Sequence, residues 1–276
     1  MHDDDETPLP EVDVERPQLA RVWNYVLGGK DNFWADRKVG DEMIKRLPAL
    51  QASAVANQRF RLRAVRYLAT HGVQQFLDIG AGLPVGRGLR VHEIAQDIDP
   101  SARVVYVDND PMVAAHGRVL LVAGSTAAGR AGFVEADVRS PKDLLDDPGL
   151  VEVLDLDEPV AVLATVVLAC FDDDTAGEIV STLLGALPVG SYLALSHPTG
   201  DFTPDAVYHA VAAADGGGLA FQPRTRDRVR DLFAGLELVE PGVVPVRDWR
   251  PDVHGKQAGP HGGDFWAGVA RKPDAL

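Results

Sequence analysis

The feature that most constrains the fold is a regular alternation of apolar runs and helix-like stretches that begins at residue 74. The apolar runs are continuous and hold few polar residues. Buried strands that are each followed by a helix are typical of a parallel sheet with helices on both faces. The candidate strands are residues 75–80, 103–108, 132–137, 160–167 and 191–196, and the helix-like stretches are residues 91–98, 111–122 and 175–187. The sequence therefore predicts a doubly wound α/β sheet.

Two later apolar runs, residues 236–246 and 264–270, have no long helix between them. Parallel neighbours need a crossover connection, whereas antiparallel neighbours do not. We therefore expect a mostly parallel sheet with an antiparallel edge.

The residues before the sheet have helical patterns. One helix-like stretch starts at Pro17 and stops at Gly28, and another, residues 53–72, stops at Gly72. Proline near a helix start and glycine just after its end are strong boundary signals. Residues 16–73 are thus predicted to form an N-terminal helical cap or lid, and residues 74–276 the ligand-binding domain.

The acidic net charge argues against a nucleic-acid-binding protein. The formal net charge is −14 over 276 residues. Residues 1–15 hold seven acids and no Lys or Arg, which predicts a disordered acidic tail. Because the remainder is also acidic, nucleic acid is not an expected partner.

Cysteine and histidine usage argues against a metal site. A single cysteine, Cys170, allows no intrachain disulfide, and the eight histidines lack metal-ligand spacing. No apolar run is long enough for a membrane span, and the N-terminus lacks the pattern of a signal peptide. We therefore predict a cytoplasmic protein with no membrane partner.

Four predicted strand ends should meet at one crevice, because ligands of doubly wound sheets bind at the carboxyl ends of the strands. Three of these ends carry an acid, and the fourth lies around Thr165. The three acids are Asp78, Asp108 and Asp137.

The turn after the first strand, within QQFLDIGAGLPVG, would let backbone approach a ligand closely at Gly80, Ala81 and Gly82. A nicotinamide fingerprint needs a third glycine at position 85, which is Val85 here. Asp78 would also repel a pyrophosphate, whereas it would attract the ammonium group of a methionine moiety. A nicotinamide-dependent oxidoreductase is therefore disfavoured.

The next two strand ends fit a nucleoside. Asp108, followed by Asn109, can accept both ribose hydroxyls, and Asp137, followed by Val138, can accept from an adenine amino group. A ligand with an ammonium, a ribose, an adenine and no phosphate is S-adenosylmethionine. The alternative, in which each acid caps the helix after its strand, explains the acids singly and stays open.

The motifs LGGKDNF and YVDNDP, with QFLDIGAGLP and VHEIAQ, carry a family resemblance. Over residues 16–272 the chain resembles the actinobacterial S-adenosylmethionine-dependent methyltransferases once catalogued only as a domain of unknown function. The resemblance implies a class I methyltransferase, Rossmann-like fold and S-adenosylmethionine as cofactor. It does not imply a particular methyl acceptor.

The sequence departs from this family in two places. The family usually reads close to GLPT and a short spacer before VHE, where this chain has Val85, a longer spacer and Arg90. Cys170 or a neighbour stands where the family commonly has a histidine. These changes leave open an alternative to catalysis, a regulatory or sensor protein that binds S-adenosylmethionine without turnover.

The predicted cap offers further candidate cofactor contacts. The turn after the first helix could close over the cofactor and exclude water, or it could be a plain helix stop. Its candidate residues are Tyr25, Gly29, Lys30 and Asn32. Arg59 or Arg63 could pair with the cofactor carboxylate, or both could lie on a solvated basic face.

His197, after the fifth strand, is the only candidate catalytic residue. It could act as a general base, shape the acceptor pocket or be purely structural. A dedicated base is not obligatory if the acceptor is already nucleophilic. The predicted reaction is methyl transfer to an unidentified small-molecule acceptor, and the sequence does not indicate an oligomeric state.

Overall fold

The computed structural model describes residues 12–85, 90–122, 129–251 and 265–274. Most of the predicted acidic tail, the spacer at 86–89 and most of the loop before the last strand lie outside the described residues. Among the described helices, none has the length and apolar character that crossing a membrane requires.

The described strands are β1 (Gln75–Ile79), β2 (Arg103–Asp108), β3 (Arg130–Glu135), β4 (Ala161–Thr165), β5 (Tyr192–Pro198), β6 (Glu237–Leu238), β7 (Val244–Pro245) and β8 (Phe265–Arg271). They form one central sheet in the order β3-β2-β1-β4-β5-β8-β6, and β7 also pairs with β8. The first five strands are parallel, and β8 runs antiparallel to β5, β6 and β7. The predicted mostly parallel sheet with an antiparallel edge is confirmed. The strand order reverses between β1 and β4, which places the expected ligand crevice there.

Ten described helices surround or precede the sheet. They are α1 (Leu19–Val26), α2 (Trp34–Arg46), α3 (Leu50–Thr70), α4 (Val91–Ile98), α5 (Pro111–Val122), α6 (Pro141–Leu145), α7 (Pro148–Val153), α8 (Asp173–Ala186), α9 (Pro204–Gly216) and α10 (Arg226–Asp231). A single 3-10 turn, Val167–Cys170, follows β4. Asp172 is the N-cap of helix α8, and its carboxylate accepts from the Thr175 amide at 2.8 Å.

Both faces of the sheet are covered by apolar side chains. On one face, α8 packs Ile179 and Leu183 against β1, β4 and β5. On the other face, α3 contributes Phe60 and Leu68, and Trp249 packs edge-on against Phe60 at 5.5 Å. Full burial of such a side chain contributes about 1.5–3 kcal/mol, so these two layers provide most of the apolar driving force.

A third apolar cluster forms the cap over the carboxyl edge. It brings Val22 of α1 and Met43 of α2 against Val207 and Ala210 of α9. The predicted cap, residues 16–73, is thus joined by a helix from the second half of the chain, while α3 packs against the sheet. The cap is assembled from segments about 180 residues apart in sequence.

Candidate functional site

The glycine turn begins directly after β1. Gly80 and Gly82 both have left-handed backbone, with φ of +66° and +67°, which favours glycine. A Cβ on Gly80 would lie 2.6 Å from the Val167 side chain, whereas a Cβ on Gly82 would meet no atom within 4 Å. At Gly80 the turn therefore packs tightly against the 3-10 turn that follows β4, whereas open space adjoins Gly82.

Asp108 is anchored at the end of β2. Its carboxylate accepts from the Gly82 amide at 2.9 Å and from the Asp110 amide at 3.0 Å. Burial raises its pKa to about 6, although these backbone hydrogen bonds oppose the rise. The two backbone donors fix the orientation of a carboxylate that has further lone pairs to offer a ligand.

Asp137 follows β3 but is already engaged. The Arg139 guanidinium forms a fork with both carboxylate oxygens, with Nε 3.0 and 2.9 Å from them. This hydrogen-bonded pair holds the pKa of Asp137 below its usual value. The Asn109 side chain also bonds Asp137, so the expected acceptor for an adenine amino group has two partners within the protein.

These strand ends border a cleft of about 470 Å³ between the sheet and α1. The cleft collects eight of the predicted cofactor residues. They are Gly80, Ala81, Gly82, Asp108, Asn109, Asp137, Val138 and Thr165. Helix α3 adds Asn57, Gln58 and Arg61 to the lining, and none of the three is among the predicted cofactor-binding residues.

Asp78 does not line the cleft, contrary to expectation. It is fully buried beneath the glycine turn, and its Oδ2 lies 3.1 Å from Arg61 Nη1. Burial raises its pKa, and the nearby Arg61 charge opposes that rise. Asp78 therefore forms a buried ion pair with Arg61 of α3 and does not face the cleft.

Arg61, not Arg59 or Arg63, reaches the cleft. Arg63 donates to the carbonyl oxygens of Trp249 and Val246, at 3.0 and 2.6 Å, and Arg59 is exposed. Residues two apart on an α-helix point about 200° apart, so a helix that turns Arg61 towards the cleft turns Arg59 and Arg63 away from it. The predicted basic residues are on this helix, but neither lines the cleft.

The turn after α1 is fastened to the glycine turn by Asn24. Asn24 Oδ1 accepts from the Asp31 amide at 3.1 Å and from Asn32 Nδ2 at 2.9 Å, and its Nδ2 is 3.4 Å from the Pro84 carbonyl oxygen. Gly29 is required here, since a Cβ would lie 2.4 Å from the Asn24 amide. Asn32 and Gly29 thus shape this turn rather than lining the cleft.

The other two residues expected in the lid point elsewhere. The Tyr25 hydroxyl donates to Asp41 Oδ1 at 2.6 Å on the outer side of α1 and α2, and Lys30 is exposed. Tyr25 also packs against Gly40, where a Cβ would approach its ring to 2.6 Å. Helical periodicity explains this, because Trp23 faces the cleft and Tyr25 is two residues later.

His197 is a structural residue. It is fully buried, its Nδ1 lies 3.0 Å from the Pro198 carbonyl oxygen, and its Nε2 contacts the Arg224 guanidinium. Burial lowers its pKa to about 4, so the imidazole is neutral near pH 7. The expectation of a catalytic base at His197 is corrected: both ring nitrogens have partners, and the side chain lies outside the cleft lining.

A buried charge cluster joins the cap to the sheet. Arg21 Nε lies 3.4 Å from Asp36 Oδ1 and 4.0 Å from Asp110 Oδ2, and all three side chains are at most 7% exposed. The Arg21 guanidinium also donates to the carbonyl oxygens of Asp13 and Arg16, at 3.0 and 2.7 Å. No local sequence pattern indicates this cluster, since its members are separated by up to 89 positions.

Two solved structures are similar to this chain over nearly its whole length. A solved DUF574 family protein of Streptomyces avermitilis is 42% identical, with a TM-score of 0.90 over 95% of this chain and 100% of that one. A candidate methyltransferase of Thermobifida fusca is 37% identical, with a TM-score of 0.87 over 98% and 100%.

A more distant structure shares the fold alone. Magnesium protoporphyrin IX methyltransferase of Synechocystis, solved with bound S-adenosylhomocysteine, is 13% identical, with a TM-score of 0.53 over 91% of this chain and 93% of that one. No curated protein matches the sequence.

The sequence profile of the S-adenosyl methyltransferases matches residues 5–273. The chain belongs to this family: it is an S-adenosylmethionine-dependent methyltransferase with a class I fold.

Proposed function

We propose that the cleft binds S-adenosylmethionine across the ends of β1, β2 and β3, and that the chain transfers the methyl group to a small molecule. The observation that carries this proposal is Asp108, whose carboxylate is held at the cleft by the Gly82 and Asp110 amides. A fixed, buried carboxylate that still has free lone pairs suits the paired hydroxyls of a ribose.

The adenine would lie beside Asn109 and Val138, which line the cleft next to Asp108. Val138 is 7% exposed and gives an apolar contact for the ring. Asp137 is tied to Arg139, so we assign it to shaping this end of the cleft through the Arg139 fork.

The methionine end would lie against α3. Arg61 lines the cleft with 17% of its side chain exposed, and its Nη1 pairs with the buried Asp78. A guanidinium carries five N–H donors, so this pairing leaves charged donors that suit the cofactor carboxylate. Asn57 Oδ1 accepts from the Ser196 hydroxyl at 2.5 Å, which leaves the amide N–H groups of this cleft residue for the same end of the ligand.

The cofactor supplies an electrophilic methyl group on a sulfonium. The protein's own residues then have two tasks, to hold the acceptor in line with that methyl group and to exclude water. Helix α1 lines one side of the cleft, and a concave cleft of about 470 Å³ suits a small molecule as acceptor.

Calorimetric titration with S-adenosylmethionine, S-adenosylhomocysteine and NAD tests the site. The wild-type chain should bind the first two and not NAD. Asp108→Ala should weaken S-adenosylmethionine binding at least about 100-fold, since two charge-assisted hydrogen bonds are each typically about 1.5–3 kcal/mol. The matched control is Asp143→Ala, an exposed acid in α6, which should leave affinity unchanged.

Affinity within about threefold of wild type in Asp108→Ala would refute the assignment of the ribose. Release of S-adenosylhomocysteine during incubation with acceptors separates an enzyme from a sensor that binds the cofactor without turnover.

A further inference from the structure

The lining of the same cleft also contains a set of apolar side chains. Helix α1 and its C-cap residue place Leu19, Trp23 and Leu27 at four-residue spacing, and all three line the cleft. Phe171 lines it from just after the 3-10 turn, and Leu219 lines it from the segment after α9. These side chains are half-buried, so they offer apolar surface to a ligand.

The Trp23 ring and the backbone that carries Phe171 are each held by neighbouring residues. Trp23 packs edge-on against Phe265 with ring centroids 6.0 Å apart. The Phe171 carbonyl oxygen accepts from Arg224 Nη2 at 2.8 Å, which fixes the backbone that carries this ring. Fixed aromatic and aliphatic walls favour a flat, apolar ligand, because little side-chain freedom is lost on binding.

The charges of the cleft argue against an anionic acceptor. Asp108, Asp110 and Asp137 line it, and neither of its described guanidinium groups is left for the acceptor, because Arg61 is assigned to the cofactor carboxylate and Arg139 pairs with Asp137. An acceptor carboxylate or phosphate would meet this acidic field without a free cation among the described lining residues.

The titratable side chains that line the described cleft are poorly placed to remove a proton from an alcohol. Asp108 is assigned to the ribose, and Asp137 is a weakened base because Arg139 lowers its pKa. Asp110 caps α5 through the Met112 amide at 2.8 Å and faces Arg21. Cys170 is a protonated thiol near pH 7, because burial raises its pKa to about 12.

We propose that this apolar part of the cleft lining, which includes Trp23, Phe171 and Leu19, takes a flat aromatic or heteroaromatic amine as methyl acceptor. This inference rests on the proposed function. The neutral nitrogen attacks the methyl carbon with its lone pair, forming a C–N bond as the C–S bond breaks. The electrons of that bond go to sulfur, which gives neutral S-adenosylhomocysteine and an N-methylated cation. Any N–H proton then leaves to solvent, so the protein needs no general base.

A panel of ring-matched probes tests the acceptor class. Isoquinoline, benzimidazole and N-methylaniline are compared with 2-naphthol and 2-naphthoate, with labelled S-adenosylmethionine as methyl donor. The nitrogen probes should be methylated with kcat/KM at least tenfold above those of the phenol and the carboxylate. Equal or faster transfer to 2-naphthol or 2-naphthoate would overturn the proposal, and so would the absence of methylation of every nitrogen probe by a chain that binds S-adenosylmethionine.

Variants of the aromatic wall test its location. Trp23→Leu should raise the KM of the best nitrogen probe at least fivefold while the Kd for S-adenosylmethionine stays within twofold, which also shows that the variant is folded. The matched control is Trp34→Leu, a tryptophan in α2 that is 68% exposed and outside the cleft, and it should change neither constant. An unchanged KM in Trp23→Leu would overturn the assigned wall. Failure of the wild-type chain to bind S-adenosylmethionine would instead overturn the proposed function itself.

Discussion

The two walls of the cleft are built in different ways. The sheet wall consists of strand ends whose polar groups are satisfied mainly by nearby backbone, as when Asp108 accepts from the Asp110 amide two residues later. The cap wall is held by side chains that reach across the sequence, as when Arg21 of α1 faces Asp110 after β2. The sheet wall therefore follows from the topology of the sheet, whereas the cap wall depends on particular buried side chains.

We therefore expect substitutions in the sheet wall to weaken ligand binding and substitutions in the cap wall to lower the free energy of unfolding. Loss of a side chain in the sheet wall removes a contact to the ligand but leaves the parallel strands paired. Loss of a charged side chain that holds the cap leaves its buried partners without a counter-charge, so its main effect is to lower the free energy of unfolding. The cofactor site and the acceptor site can thus be separated experimentally by stability as well as by binding.

The largest expected effect is on the cap. Arg21→Met leaves Asp36 and Asp110 buried without their shared cation, so the free energy of unfolding should fall by about 3–5 kcal/mol. Urea unfolding at pH 7 measures it. Arg59→Met, at an exposed position of α3, is the matched control and should stay within about 0.5 kcal/mol of wild type. A loss below about 1 kcal/mol in Arg21→Met would show that the cluster does not hold the cap.

The sheet wall could be predicted from the sequence, whereas the contacts that hold the cap wall could not. The strands, the antiparallel edge and the ends carrying Asp108 and Asp137 follow from local patterns of apolar residues and glycines. The contact of Arg224 with His197 and the contact of Arg21 with Asp110 join distant positions, so no local pattern indicates them. His197 was a reasonable candidate from its place at a strand end, but only the packing of Arg224 against it shows that it is not exposed to a ligand.

A second prediction concerns the two glycines of the sheet wall. Both Gly80→Ala and Gly82→Ala place a residue with a Cβ in left-handed backbone, which costs about 1–2 kcal/mol. Only at Gly80 would that Cβ collide with Val167, which adds about 1–3 kcal/mol of overpacking. Thermal or urea unfolding should therefore show Gly80→Ala to be less stable than Gly82→Ala by that additional amount. Equal losses would mean that the β4 end moves away freely and that the sheet wall is less rigid than its packing indicates.

The smallest expected effect is a pH dependence of the Kd for S-adenosylmethionine, which comes from Asp108 in the sheet wall. The pKa of Asp108 is raised by burial to about 6, so the carboxylate takes up a proton as the pH falls through 6. If the ionised form accepts the ribose hydroxyls, binding and protonation compete, and the Kd for S-adenosylmethionine should rise about tenfold for each pH unit below 6. Calorimetry between pH 5 and 8 measures this slope. In Asp108→Asn the affinity should be weaker throughout and the slope should disappear, since an amide does not titrate. A slope that persists in Asp108→Asn would assign the titration to another group, and Asp78 is the other buried acid near the turn whose pKa burial raises.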